Sequence, residues 1–394
     1  MSEKIRKIVR EALSEIEMVG SEVNLTKKKV VPFNIPLARD IMEISKVFAD
    51  NGYKLFLVGG AVRDAWLGII PKDYDFATNA LPDHVEDIMK GAGFKTLPTG
   101  KSFGVINVFT KEGEYEIATF RTDIGSGRRP DAVEFTTIDK DVLRRDLTIN
   151  ALFYDINKHE IIDLVGGLYD LDRGIIRAVG SPFNRFKEDP LRVLRAIRFA
   201  ARFGSKLDSK TSKAIKSGGF DLNGVSRERV RDEFLKGIKT TKSTVHFLNL
   251  LKEHNLLNWV FPKLKVSEDF IEEKDPIVLI AHLLRTNQDS IGGILNALTY
   301  TNIERDQINF LINFLNFNPI KVYDMKKAAE KSRLKPEQIA KFAAYNNMDR
   351  NLVSKFNSFE LFVTGKELQD AGFNGVELGI EMRKREAQNF DSIL

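Results

Sequence analysis

Two aspartates flank a tyrosine in Asp73-Tyr74-Asp75, ten residues beyond Arg63 of the run Gly59-Gly60-Ala61-Val62-Arg63-Asp64. Carboxylates spaced two apart fall on one face of an extended strand, leaving Tyr74 and Phe76 on the other. A pair of acids so placed can hold magnesium, which takes oxygen ligands from one or two carboxylates and from substrate phosphates. Two glycines let the backbone turn tightly, and N–H groups at such a turn, near the start of a helix, attract phosphate oxygens. Arg63 adds a cationic fork that Asp64 can hold in place. Taken singly, a Gly-Gly turn or an Asp-x-Asp is usually structural. Together at this spacing they point to metal-dependent nucleotidyl or phosphoryl transfer.

Three further groups have types suited to the same chemistry. Alternation through Tyr115–Arg121 puts Glu116 with Ala118 and Phe120 on a face that reads as buried, and a buried carboxylate needs a metal or a cation such as Arg121. Arg144-Arg145-Asp146 can bind triphosphate and ribose, or form only a surface ion-pair cluster. Pro190 suits the first turn of a helix, which makes Asp189 its N-cap. On that helix Arg192 and Arg195 share one side, opposite Val193, Leu194, Ile197, Ala200 and Ala201. Asp189 supplies acceptors and Arg192 donors, enough to address the polar edge of a base. A cap with ordinary helix ion pairs is the plainer account of the same residues.

The elements that must carry these groups are partly readable. Leu55-Phe56-Leu57-Val58 has the apolar run of a buried strand, and strand patterns recur at 73–78, 103–110, 115–121 and 134–137. A helix is expected from about Pro36 to Asp50. Residues 1–35 read as a charged helical extension, closed by Val31-Pro32-Phe33-Asn34-Ile35-Pro36. After Arg185 the pattern is almost wholly helical, with Lys and Arg dense over 205–242, either a solvated surface or a phosphate track. Runs such as Ile308–Leu315 read as packed helices without visible chemistry. The expected fold class is an α+β head, a small mixed sheet with helices, followed by an all-α neck, body and tail.

Composition narrows the class further. The chain has 394 residues, 43% of them hydrophobic, enough for two or more domains with cores of their own. A net charge of +5 fits an RNA partner without requiring one. Cysteine is absent, which excludes disulfides and cysteine-ligated zinc. No apolar run has the length of a membrane span, and residues 1–30 lack the apolar core of a secretory signal, so a soluble cytoplasmic enzyme is expected.

Several runs occur in an order that carries a resemblance: Gly59–Asp64, Leu67-Gly68, Asp73–Asp75, Tyr115–Arg121, Arg128-Arg129-Pro130, Arg144–Ala151, Glu188–Phe199 and Glu228–Glu233. On these, from about Leu55 to Leu235, the chain resembles the class II tRNA nucleotidyltransferase and bacterial poly(A) polymerase family, a branch of the polymerase-beta-like nucleotidyltransferases. The resemblance implies template-independent addition of CCA to tRNA 3′ ends from CTP and ATP, with Mg2+ on Asp73 and Asp75 and release of pyrophosphate. It favours Glu116 as a third catalytic carboxylate. It assigns nucleotide binding to Gly59, Gly60, Arg63, Arg144, Arg145, Asp146 and Asn150. In Glu188, Asp189, Arg192, Arg195 and Arg198 it implies an amino-acid template that selects the incoming base. The partner is then the 3′ end and acceptor arm of tRNA, with body and tail domains on its elbow.

The domain expectation on this basis is an extension over 1–35, a catalytic head over 36–165, a neck over 166–225, and a helical RNA-binding body and tail over 226–394. Two departures bear on the product. Arg121 to Arg128 spans only Thr122-Asp123-Ile124-Gly125-Ser126-Gly127, short for the loop that CCA-adding members use when switching from CTP to ATP. Gly100-Lys101-Ser102-Phe103-Gly104-Val105 carries the Phe103 of the poly(A) pattern but not its paired basic residues. CC-only or A-only addition therefore ranks second and poly(A) synthesis third. A catalytically silent RNA-binding protein of the same fold, or a small-molecule transferase, is the reading from another class.

Overall fold

Short apolar runs in the first half of the chain assemble an eight-stranded mixed sheet in the computed structural model, which describes residues 28–125, 132–220, 224–287 and 291–392. Its strands are β1 (Lys29–Pro32), β2 (Leu55–Val58), β3 (Asp75–Thr78), β4 (Lys95–Gly100), β5 (Val105–Phe109), β6 (Glu114–Thr119) and, after a separate hairpin β7 (Arg121–Ile124) and β8 (Ala132–Phe135), β9 (Leu152–Asp155) and β10 (Glu160–Asp163). Across the sheet the order is β1-β10-β9-β2-β3-β6-β5-β4. All neighbours are antiparallel except the central pair β3 and β6, which run parallel.

The two faces of the sheet differ. Leu55, Leu57, Phe76, Ile106, Ile117 and Tyr154 point to one side and pack against α1 (Arg39–Asp50), α2 (Gly60–Trp66) and α3 (Pro82–Gly91) through Ile41, Ile44, Phe48, Val62, Trp66, Val85 and Met89. Each fully buried side chain of this size contributes about 1.5–3 kcal/mol, so this side is the main core of the head. Phe56, Val58, Ala77, Phe120 and Phe153 point to the other side, where Val142, Val165 and Val179 cover only part of the sheet. The candidate site lies on this second face.

Three expectations are corrected. Lys29–Pro32, placed by the sequence pattern in a helical extension, is an edge strand paired with β10, while residues 1–27 lie outside the described residues. The β-branched pair Val30-Val31 favours the strand, and Pro32 is tolerated at its end because an edge strand has one side without ladder bonds. The helix expected from Pro36 starts at Arg39. The sheet is also larger than expected: β1, β4, β9 and β10 were not foreseen, because β4 is half exposed with no alternation, and Leu152–Asp155 is buried on both faces and so has none either.

The head continues into α4 (Ile138–Asp141), α5 (Gly167–Arg173), α6 (Pro182–Glu188), α7 (Leu191–Phe203) and α8 (Ser209–Ser217), within a compact unit that ends at Val225. The second unit, Ser226–Leu394, is built of helices and connecting segments, with no strand among its described residues. Helix Pro276–Leu284 is capped by Asp275, and helices Asn302–Phe314 and Gly365–Asp370 open on capping boxes, Thr301 with Glu304 and Thr364 with Glu367. Phe310, Phe314, Phe317, Phe356 and Phe390 form a chain of ring contacts 4.8–6.2 Å apart that knits the unit's later helices together.

Candidate active site

Register brings the acids together. Asp75 is paired with Glu116 across the parallel strands, with Val58 on its other side, and the row continues to Phe153 on β9 and Asn107 on β5. Paired residues point to the same face, so Asp75 and Glu116 stand side by side on the partly covered side of the sheet. Both are exposed. This corrects the expectation of a buried Glu116: Tyr115, Ile117 and Thr119 are the inward residues of β6, and Arg121 pairs with Asp123 rather than with Glu116. Asp73 lies two residues before β3 instead of within it. Its charge nevertheless reaches Asp75. Desolvation against the sheet, then repulsion from Glu116 and Asp73, push the Asp75 carboxyl above its ordinary range, while Arg145 pulls it back.

Among the described residues no three acidic or histidine side chains converge tightly enough to cage a metal ion by themselves. An all-protein cage is not what magnesium asks for. Neighbouring like charges on an open face, with room for phosphate oxygens to complete the shell, suit it.

The glycine turn leads off the next strand in this row. Gly59 has φ 68° and ψ −124°, a conformation open in practice only to glycine, and its N–H donates to the Leu152 carbonyl at 3.1 Å. Gly60 opens α2. Arg63, three residues on, is 4% exposed. It donates to Asp64 at 2.8 Å, donates to the Asn150 side-chain oxygen, and lies over the rings of Phe199 and Phe203 at 5.0 and 5.3 Å. The expected phosphate fork is thus turned into the protein, where it joins α2 to α7. Asp64 also accepts from Arg202 of α7 at 3.3 Å.

The run Arg144–Ala151 is irregular, with 3-10 turns at Val142–Arg144 and Thr148–Asn150, and is held by a Leu147–Ala178 bridge and the Val179 N–H bond to the Asp146 carbonyl. Arg145 lies 4.7 Å from the Phe153 ring, and its Nη1 is 3.7 Å from where a Cβ on Gly59 would stand. Asp146 accepts from the Leu147 N–H at 2.7 Å, from Asn150 at 3.3 Å and from Arg195 at 2.7 Å. Burial opposes its charge, but Arg195 and these bonds hold its carboxyl below the ordinary range. Asn150 therefore bridges Arg63 and Asp146.

On α7 the sidedness read from the sequence is present: Arg192 and Arg195 are half-buried, and Val193, Leu194, Ile197, Ala200 and Ala201 are buried. Pro190, not Asp189 as expected, is the N-cap of α7; Asp189 precedes it, extended, and accepts the Leu191 N–H at 3.2 Å. Arg192 donates to Glu188 at 3.0 Å and to the Arg144 carbonyl at 2.8 Å, tying the helix to the Arg144 run. Arg198 is buried with its guanidinium 4.3 Å from the Phe199 ring. Sequence reasoning missed Phe199 and Phe203 as the platform for Arg63. It also missed Asp141, 1% exposed, which accepts from Arg144 and Arg145. Its spacing of three and four residues from those arginines was the signal. Arg128-Arg129-Pro130 and the end of the short loop, Ser126-Gly127, lie outside the described residues.

A parallel strand pair carrying adjacent acids, beside a Gly-Gly turn and two arginines, defines a nucleotidyltransferase head. Comparison with known proteins agrees: the family described as Poly A polymerase head domain matches residues 55–177, and that described as Probable RNA and SrmB- binding site of polymerase A matches 204–267. The CCA-adding enzyme of Lactobacillus helveticus is 31% identical over 367 residues, covering 87% of this chain and 90% of that protein. Poly(A) polymerase I of Salmonella typhi is 30% identical over 305 residues, covering 73% and 64%. The crystal structure of the Bacillus stearothermophilus CCA-adding enzyme in complex with CTP superposes with a TM-score of 0.69 at 26% identity, over 90% of this chain and 92% of that one. The chain belongs to the CCA-adding enzyme and poly(A) polymerase family of nucleotidyltransferases. It has no cysteine to form a disulfide, and none of its described helices is long and apolar enough to cross a membrane.

Proposed function

We propose that this chain adds CCA to the 3′ end of tRNA, taking CTP and ATP and releasing pyrophosphate, at a cytoplasmic site of action. The observation that carries the reading is the Asp75–Glu116 register pair beside the Gly59 turn. The names of its relatives, CCA-adding enzymes, support CCA as the product.

Asp73 and Asp75 would hold magnesium, which when bound lowers the pKa of the RNA 3′-hydroxyl and neutralises charge on the triphosphate. Glu116, open to solvent beside Asp75, would take the hydroxyl proton. The backbone at Gly59 and Gly60, with Arg144 and Arg145, binds the phosphates. Asp146 and Asn150 hold this wall in place and face the ribose. Arg63 is a positioning residue, since it is buried and its donors are engaged by Asp64 and Asn150. Asp189, just before α7, and Arg192 on it read the base edge, Arg192 by exchanging its bonds to Glu188 and the Arg144 carbonyl, while Arg195 and Arg198 fix the helix.

Incorporation of CTP and ATP, separately and together, onto tRNA transcripts ending before CCA, after C and after CC tests the reading. Addition of C, C and A, ending there and confined to tRNA, is expected. Termination after CC, addition of A alone, or many A residues on any RNA would move the activity to a sister enzyme. No incorporation would favour a silent RNA-binding protein or a small-molecule transferase.

A further inference from the structure

We propose that Asp141 is a positioning residue for nucleotide binding, acting through Arg145 and, second, Arg144; the inference rests on the nucleotidyl-transfer reading above. Its carboxylate is 1% exposed and surrounded by donors: the Arg121 N–H at 3.2 Å, Arg144 Nε at 2.9 Å, and Arg145 Nε and Nη2 at 3.3 and 3.1 Å. Both oxygens are thus committed, one to each arginine. A buried carboxylate in this position does not face substrate. What it does is fix the edges of two guanidinium planes.

The consequence for the site follows from which donors remain. With Nε and Nη2 of Arg145 fixed on Asp141, and its plane lying over Phe153, Nη1 is the edge next to Gly59. One arginine edge is thereby aimed at the turn whose backbone would cradle phosphate, and held there by a bond to a charged group and a ring contact. The charges also balance usefully. Asp141 and Asp123 against Arg121, Arg144 and Arg145 leave an excess of one positive charge, and Arg145 is close enough to act on Asp75. The Arg121 N–H adds a third tie, because Arg121 begins β7 directly after Phe120, which follows the strand bearing Glu116. Asp141 therefore connects the acid-bearing strand to the cationic wall without touching either the acids or the nucleotide.

The test is a double-mutant cycle on the full chain with D141N and R145Q, reading KM for CTP and ATP, KM for tRNA, kcat and the thermal midpoint. Asparagine keeps an acceptor for the Arg121 N–H and removes the charge. R145Q alone is expected to raise the nucleotide KM about tenfold or more, the loss of one charge-assisted contact. D141N is expected to raise it similarly, leaving the tRNA KM unchanged, and D141N/R145Q to exceed R145Q by much less than D141N exceeds the parent, the remainder being the part that acts through Arg144. D141E, which restores charge one methylene further out, should recover part of the loss, and it replaces D141N in the cycle if that variant does not fold. Losses that multiply, or a tRNA KM that rises with the nucleotide KM, would reduce Asp141 to a structural ion pair and overturn the inference. Unchanged nucleotide KM in R145Q would instead remove Arg145 from the nucleotide site, a failure of the underlying reading.

Discussion

Substituting Gly59 by alanine separates backbone torsion from crowding at the turn. A Cβ at Gly59 would stand 3.6 Å from the Asn150 carbonyl oxygen and 3.7 Å from Arg145 Nη1, both ordinary contacts, so space is not what excludes a side chain there. Torsion is: φ 68° with ψ −124° is glycine territory, and forcing an L-residue into such a region costs about 1–3 kcal/mol. Gly60 is the control. It is helical without positive φ, a Cβ on it would meet Arg63 Nη2 at 3.5 Å, and alanine there should stabilise the fold by about 0.4–1 kcal/mol through the unfolded chain. The unfolded-chain gain is common to both changes, so Gly59→Ala should be less stable than Gly60→Ala by the torsional cost, about 1–3 kcal/mol. The chain has two tryptophans, Trp66 in α2 and Trp259 in the second unit. In a Trp259→Phe background, urea unfolding followed by Trp66 fluorescence reports on the head alone. A Gly59→Ala midpoint no lower than that of Gly60→Ala would refute the torsional argument and with it the claim that the turn's shape requires glycine.

Asp75→Asn should abolish nucleotide incorporation while leaving tRNA affinity unchanged, and in magnesium-free buffer it should raise the thermal midpoint, because it relieves repulsion with Glu116 and Asp73; a lower midpoint would contradict the crowding described here. Arg192→Ala should reduce discrimination of CTP and ATP over UTP and GTP by about tenfold to a hundredfold, the value of one bidentate base contact, measured as the ratio of kcat/KM values. The folded carboxyls of Asp141 and Asp146 titrate below their unfolded values. The stability they contribute is therefore present above about pH 4 and lost as pH falls through the depressed folded values, and Asp146→Asn should flatten the acid limb of head unfolding seen by Trp66.

Much of this site was legible because its signals are local. A Gly-Gly turn after an apolar run fixes geometry over a few residues, whereas the strand expected to carry both acids begins only at Asp75 and Pro190 caps its helix instead of opening the first turn. Glu116 was read as an acid that matters but on the wrong kind of face. Alternation alone cannot tell which side of a strand is covered, and β6 buries Tyr115, Ile117 and Thr119 instead. Register across a parallel pair is equally invisible locally. That Glu116 stands beside Asp75 depends on β3 and β6 being neighbours, although α3, β4 and β5 intervene in the chain.

Arg63 shows the limit most clearly. Its place in Gly59–Asp64 makes it look like a phosphate ligand, since arginine beside glycine is how many phosphate loops present charge. What turns it inward is Phe199 and Phe203, more than 130 residues away, together with Asn150. A buried arginine needs acceptors for its donors and a surface for its plane, and this one finds both only when α7 packs against α2. Its consequence is mechanical. The helix that follows the Gly59 turn and the helix that bears Arg192 are joined through one guanidinium, reinforced by the Arg202–Asp64 pair. Displacing Arg63 would loosen the Gly59 turn and α7 together, whereas displacing Arg145 would leave that joint intact.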